Sequence, residues 1–165
     1  MGITKLLPAL AVAASAACMV QMPAEMSSPA EVTPGEVAFE LASGGSAIVV
    51  PVRIDEHAPL RFILDTGATL TCLDAGVAKK LGLEPRTGVI GRGFGVGAEG
   101  TVGMVAIDSL TVGSAVAEDL TACTLDLRSL RGAGIDVDGL LGLNFLRQYR
   151  VTLDFERRAL KLEIP

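Results

Sequence analysis

Between residues 36 and 65 the chain alternates apolar and polar residues in segments too short to be helices. "EVAFELA" (36–42), "AIVVPVRID" (47–55) and "LRFILD" (60–65) each carry the period of two that turns one face of a strand to a core and the other to water. Their β-branched residues suit a pleated backbone, and "SGG" (43–45) and the polar "DEHAP" (55–59) interrupt them. The same grammar continues downstream. Two β-like arms flank a glycine-dense centre over residues 87–113, and "DLTACTLDL" (119–127) reads as another strand. "DGLLGLNFLRQY" (138–149) passes from a strand into a short helix, and "RVTLDFERRALKLEI" (150–164) reads as a hairpin turning at Glu156-Arg157-Arg158. A further helix is expected in "LDAGVAKKLGL" (73–83), with Asp74 as N-cap, Val77 and Leu81 on one face and Gly82 as the stop. Many short strands with one or two short helices predict an all-β barrel or sandwich. At 165 residues there is room for one domain with a proper core.

The first 35 residues have a different character. Lys5 precedes an apolar run from Leu6 to Ala17, and small residues lead into Cys18, the pattern of an export signal over residues 1–18. "SAAC" (15–18) is similar to a bacterial lipobox, in which the cysteine is lipidated and becomes the mature N-terminus. Ser15 stands where that box prefers an apolar residue. Lipidation at Cys18, plain cleavage after Ala16 and an uncleaved anchor therefore all stand as readings. Each puts the domain outside the cytoplasm, in the cell envelope, with the membrane as a partner through a signal or a lipid. Residues 19–35 are rich in Pro, Ser, Ala and Glu without periodicity and read as a tether, leaving 36–165 as the folded domain. Within that domain only Cys72 and Cys123 remain. Two cysteines in strand-like apolar runs read more readily as buried thiols than as a disulfide, with pairing left open.

Several chemistries are excluded or disfavoured. A net charge of −5 gives no electrostatic support to a nucleic-acid partner. His57 is the single histidine, so a zinc site of several histidines is impossible and no metal is expected. It lies in a polar turn with no nucleophile motif beside it, so a Ser-His or Cys-His catalyst is not expected either. The glycines of "GRGFGVGAEG" (91–100) are followed by β-like sequence and not by a helix, which argues against a phosphate loop. A bending hairpin with Phe94 at its tip fits them better. No cofactor is implied.

That leaves "RFILDTGATLTCLD" (61–74), where an apolar strand ends in Asp65-Thr66-Gly67. A carboxylate closing a buried strand needs hydrogen-bond support, which the Thr66 hydroxyl and the Gly67 amide can offer. Together with "DGLLGLNFL" (138–146) and the C-terminal hairpin, this segment resembles the retropepsin-like aspartic proteases, in particular single-domain bacterial envelope members. The resemblance runs from about residue 36 to the end. It implies a closed acid-protease barrel with a glycine-rich flap and an aspartic endopeptidase cutting an extended peptide or protein substrate.

The resemblance also implies a partner. Such enzymes use two carboxylates sharing a proton across one water, and this chain has one Asp-Thr-Gly. The second Asp65 would then come from a second copy in a two-fold homodimer. Asp65 would be the acid–base group, Thr66 would hold the opposing loop, and Gly67 would present backbone to substrate. Ala68 would line the substrate site where many relatives carry a hydroxyl, favouring mildly acidic operation. Gly93, Phe94 and Gly95 would form the flap tip, while Leu140 and Leu141 would pack beneath the site. Thr69 and Leu143 stand where retroviral members carry an Asp–Arg pair, so both halves of that pair are missing together. A catalytically silent peptide-binding or dimerisation module on the same fold is the alternative.

Overall fold

The computed structural model describes residues 35–84, 91–92 and 101–165. The expectations for the signal, Cys18, most of the tether and the flap tip at Gly93, Phe94 and Gly95 lie outside these residues. In chain order the elements are β1 (Glu36–Ala38), β2 (Glu40–Leu41), β3 (Ile48–Ile54), β4 (Leu60–Leu64), β5 (Cys72–Asp74), α1 (Ala75–Lys80), β6 (Gly91–Arg92) and β7 (Thr101–Val112). They continue with β8 (Ala115–Leu125), α2 (Arg128–Gly132), β9 (Gly139–Leu141), α3 (Leu143–Leu146), β10 (Arg150–Asp154) and β11 (Ala159–Glu163).

The strands pair in the order β2-β3-β4-β9-β5-β8-β7-β6, and β3 pairs again with β7, which closes β3, β4, β9, β5, β8 and β7 into a barrel. The closure has a visible cause. Toward the main core β7 buries Val105 and Ile107, then Leu110 and Val112; opposite them β8 buries Ala122 and Leu120, then Ala117 and Ala115. The inward face thus shifts by one residue midway along the hairpin, where Asp119 takes a positive φ of 53°. Such a local bend re-aims a long strand. It lets β7 reach β3 through Ile54↔Leu110 and Arg53↔Thr111, and Ser109 N donates to Asp55 Oδ1 at 2.8 Å just beyond. The hairpin itself turns over two residues, with Gly113 at φ +60° and Val112 opposite Ala115.

The core follows the sequence alternation. Val50, Val52 and Ile54 of β3 are fully buried while Pro51 and Arg53 face out, and Phe62, Leu73, Leu141 and Phe145 join them. A second sheet, in the order β1-β11-β10, packs Leu160 and Leu162 against the same core. Three local expectations are corrected. Residues 36–42 do not form one strand: β1 pairs with β11 and β2 with β3, because Phe39 between them turns inward and packs edge-on against Phe155 at 5.7 Å. The strand expected at 119–127 begins earlier and ends at Leu125. A third helix, α2, follows it, with its N-terminal flank fixed by the buried Leu127 and its last turn by Arg131.

Arg131 matters because it reaches Asp74, a carboxylate that is almost wholly buried. Asp74 caps α1 by accepting from Gly76 N at 2.9 Å and Val77 N at 3.4 Å, as the sequence predicts, and also accepts from Leu127 N at 3.2 Å. The Arg131 guanidinium completes its shell at 2.9 Å. Further out on the same segment, the hydrogen bonds from Arg128 hold the Asp126 carboxyl down to about 2.

Cys72 and Cys123 are bonded, which corrects the reading as free thiols. The pairing was hidden because β5 and β8 are parallel neighbours far apart in sequence, a relation set only by barrel closure; their Cα atoms stand 4.3 Å apart in register. The bond ties the strand leaving the Asp65 loop to the outer hairpin across a 51-residue separation. Loop-closure entropy for that length amounts to about 4 kcal/mol. Urea denaturation of the oxidised chain, with and without dithiothreitol, is expected to show an unfolding free energy lower by about 3–4 kcal/mol when reduced. Coincident curves would remove the bond from the stability of the fold.

Candidate active site

The Asp65 loop is a break in a ladder, and β9 fills the break from below. β4 runs parallel to β9 with Phe62↔Gly139, Ile63↔Leu140 and Leu64↔Leu141 in register, and Asp65 N then donates to Leu141 O at 3.0 Å. β5, on the far side of the loop, runs antiparallel to β9 through Cys72↔Leu140 and Leu73↔Gly139. One three-residue strand therefore holds both ends of the segment 65–71. Gly139 is the residue that permits it: a Cβ there would overlap the Phe62 ring and stand 2.5 Å from Cys72 O. At the head of β9, Asp138 and Arg61 exchange backbone and side-chain bonds of 2.7–2.8 Å, which sets the register of the pair.

Within the loop, Gly67 N donates to Asp65 Oδ1 at 2.9 Å, and Ala68 N closes a turn onto Asp65 O at 3.3 Å. The amide support expected of Gly67 is present. The support expected of Thr66 is not: its side chain is exposed and its hydroxyl makes no bond among the described residues. Asp65 is half-buried, Thr66, Gly67 and Thr69 are exposed, and Ala68 is half-buried, so the loop meets solvent along one side. Leu141 is fully buried beneath it and Leu140 is half-buried. β6 pairs with the start of β7, Gly91↔Val102 and Arg92↔Thr101, in antiparallel register.

Sequence reasoning missed the residues that hold the loop rigid. α3 has no side-chain cap; its first amides are met by loop carbonyls, Leu143 N donating to Ala68 O at 2.8 Å and Asn144 N to Thr69 O at 3.1 Å. Asn144 Oδ1 accepts from Thr71 N at 2.7 Å and Thr71 Oγ1 at 2.9 Å, and its Nδ2 donates to Thr121 O at 2.9 Å. Thr71, wholly buried, accepts in turn from Gly142 N at 3.1 Å. An asparagine two residues after a glycine at the start of a very short helix was the available signal. Asn144→Leu keeps the branching at Cγ but strands the Thr71 amide and hydroxyl in the interior, where each unpaired group costs about 1–3 kcal/mol. The variant is expected to unfold in urea with about 2–3 kcal/mol less free energy. A loss below a few tenths of a kcal/mol would show that the clamp carries no load.

A closed barrel whose broken strand ends in Asp-Thr-Gly, braced from beneath by a Gly-Leu-Leu-Gly strand, defines a retropepsin-like acid-protease fold. The comparisons agree with that class. A family model described as aspartyl protease matches residues 50–145. The UBA domain-containing protein Mud1 of Schizosaccharomyces pombe is 37% identical over 123 residues, covering 72% of this chain and 34% of that protein. The DNA damage-inducible protein 1 of Phaeosphaeria nodorum is 30% identical over 112 residues, covering 65% of this chain and 24% of that protein. The chain thus spans about a third and about a quarter of these two relatives. In structure it is similar to a retropepsin-like aspartic protease from Rickettsia conorii, with a TM-score of 0.53 at 18% identity over 77% of this chain and 87% of the other, a likeness of fold. The chain belongs to the aspartyl protease family.

Proposed function

We infer that the protein is an aspartic endopeptidase that works as a homodimer, each copy supplying one Asp65. The observation that supports this most is the loop itself: a single Asp-Thr-Gly whose carboxylate is anchored by Gly67 N, braced by β9 and α3, and left open on one side. Two such carboxylates facing each other at about 3 Å cannot both ionise, and so the pair shares one proton. The ionised one takes a proton from the bound water, whose oxygen attacks the scissile carbonyl carbon. The protonated one donates to the carbonyl oxygen, giving a tetrahedral diol. Collapse of the diol returns a proton to the leaving amine and restores the shared state of the pair. Across the two-fold, Thr66 and Gly67 hold the facing loops and present backbone to an extended peptide. Ala68 lines the substrate site beside the carboxylate. Gly93, Phe94 and Gly95 close over the substrate and exclude water.

The N-terminal signal, with Cys18 as lipid acceptor, would place the enzyme at the cell envelope. The disulfide supports that reading, since such bonds persist in oxidising compartments. Cleavage of a peptide library between mildly acidic and neutral pH tests the function. Cuts within extended segments, lost in Asp65→Asn, are expected. A demonstrably dimeric chain that cuts nothing would favour a silent binding module.

A further inference from the structure

The Cys72–Cys123 bond stands outside the main core. Alternation along β5 and β8 turns Leu73 and Ala122 into that core and leaves the two cysteines on the opposite face, in a small apolar cluster with Val102. Leu70, Met104 and Leu125 border this cluster and are only half-buried, and Cys72 and Cys123 themselves keep 5% and 6% exposure. The bond also lies where the site loop ends. Thr71 O, one residue before Cys72, accepts from Cys123 N at 2.9 Å, and Cys72 pairs with Leu140 of the strand that braces the loop. We propose that this bond is a redox switch for the site: closed, it holds the segment 65–71 in its working position, and opened by a dithiol it lets that segment shift and slows cleavage.

Opening is a two-electron exchange. One thiolate of the dithiol attacks a sulfur of the pair, forming a mixed disulfide and releasing the other sulfur as a thiolate. The second sulfur of the dithiol then attacks the mixed disulfide. The dithiol departs as its own disulfide, and the cysteine pair keeps two electrons and two protons. The outward face gives the attacking thiolate an approach that a bond in the core would lack. What changes next lies in the loop. Cys72 Sγ stands 3.6 Å from Leu70 O; a bonded sulfur has no hydrogen to donate, whereas a thiol donates weakly to such a carbonyl. The two freed sulfurs must also part to van der Waals distance while β5 and β8 hold their backbones in register, so Cys72 turns from Cys123 toward Leu70. Thr71 stays clamped by Asn144, which keeps the reduced chain folded. A displacement of about 1 Å at a catalytic group costs about a hundredfold in rate. The inference rests on the protease reading above and gives it a control.

A redox titration of the full chain with dithiothreitol and its oxidised form tests it, with free thiols, circular dichroism, peptide cleavage and amide hydrogen exchange followed on the same samples. As two thiols appear, kcat is expected to fall by about 10- to 100-fold with KM changed less than about threefold, the fold retained, and full recovery on reoxidation. Exchange at the Thr71 and Asn144 amides is expected to rise at least about 10-fold more than at Leu160 and Leu162 in the C-terminal sheet, which marks a local release and not a general loss of stability. The variant C72S/C123S is expected to cleave slowly and to ignore the dithiol. Four results would each overturn the switch: a bond that the dithiol does not open in the folded chain, two new thiols with cleavage unchanged, cleavage lost only together with the fold, or a double variant that cleaves like wild type or still responds. A chain that cleaves nothing in either state overturns the protease, and the exchange rates then decide the switch: a selective rise at Thr71 and Asn144 upholds it, and a uniform rise overturns it.

Discussion

Replacing Asp65 with Asn is expected to lower kcat/KM for peptide cleavage by at least about a thousandfold without loss of the fold. The amide oxygen of asparagine occupies the place of Oδ1 and still accepts from Gly67 N, so the turn that holds the loop survives. Among the described residues Asp65 forms no ion pair, and it is only half-buried, so neutralising it strands no buried charge; the stability change is expected to stay within about 0.5 kcal/mol. What disappears is the ability to take a proton from water and pass it on, which no neighbouring group within the loop can replace. Steady-state kinetics beside a thermal melt measures both halves of the expectation. A folded Asp65→Asn protein that cleaves at the wild-type rate would end the aspartic mechanism.

Gly142→Val is expected to be the most damaging substitution outside the carboxylate itself, costing about 4–5 kcal/mol or preventing soluble folding. The reason is contact and not backbone conformation, since φ at Gly142 is −97°, open to any residue. A Cβ at this position would overlap the Leu70 carbonyl and lie 2.8 Å from Thr71 N, and these are backbone atoms that cannot turn aside as a side chain would. To make room, β9 must withdraw from the segment 68–71, which breaks the Gly142 N–Thr71 Oγ1 bond and loosens the Asn144 clamp. Gly132→Ala is the matched control. Its Cβ would meet nothing within 4 Å, and the helical position is expected to gain about 0.5 kcal/mol. Urea denaturation of both variants checks the contrast; a Gly142→Val protein as stable as wild type would contradict the close approach of β9 to the loop.

The alternating strands were legible because burial on one face writes itself into a period of two, as in Val50, Val52 and Ile54. Asp65-Thr66-Gly67 was legible because a carboxylate after Phe62-Ile63-Leu64 breaks that period abruptly. Less visible were relations that exist only after the barrel closes. Thr71, Asn144 and Thr121 are separated by 73 and 23 residues, and nothing local marks them as one network. The Cys72–Cys123 bond depends on two parallel strands becoming neighbours. α2 is five residues without a side-chain cap, too short for a periodic signal, and is held by Leu127 and by Arg131 on Asp74. The split of 36–42 into two strands turns on one side chain, Phe39, finding the core and Phe155.

The central claim is that the site is built from two copies of Asp65, and subunit mixing tests it most directly. Wild-type chain at fixed concentration is equilibrated with increasing Asp65→Asn chain under conditions that let subunits exchange, and cleavage is followed. Mixed dimers carry one carboxylate, so activity is expected to fall to about one half at equal amounts and about one quarter at a threefold excess of the variant. Activity that stays constant across the titration would show that each chain acts alone, and would contradict the shared site.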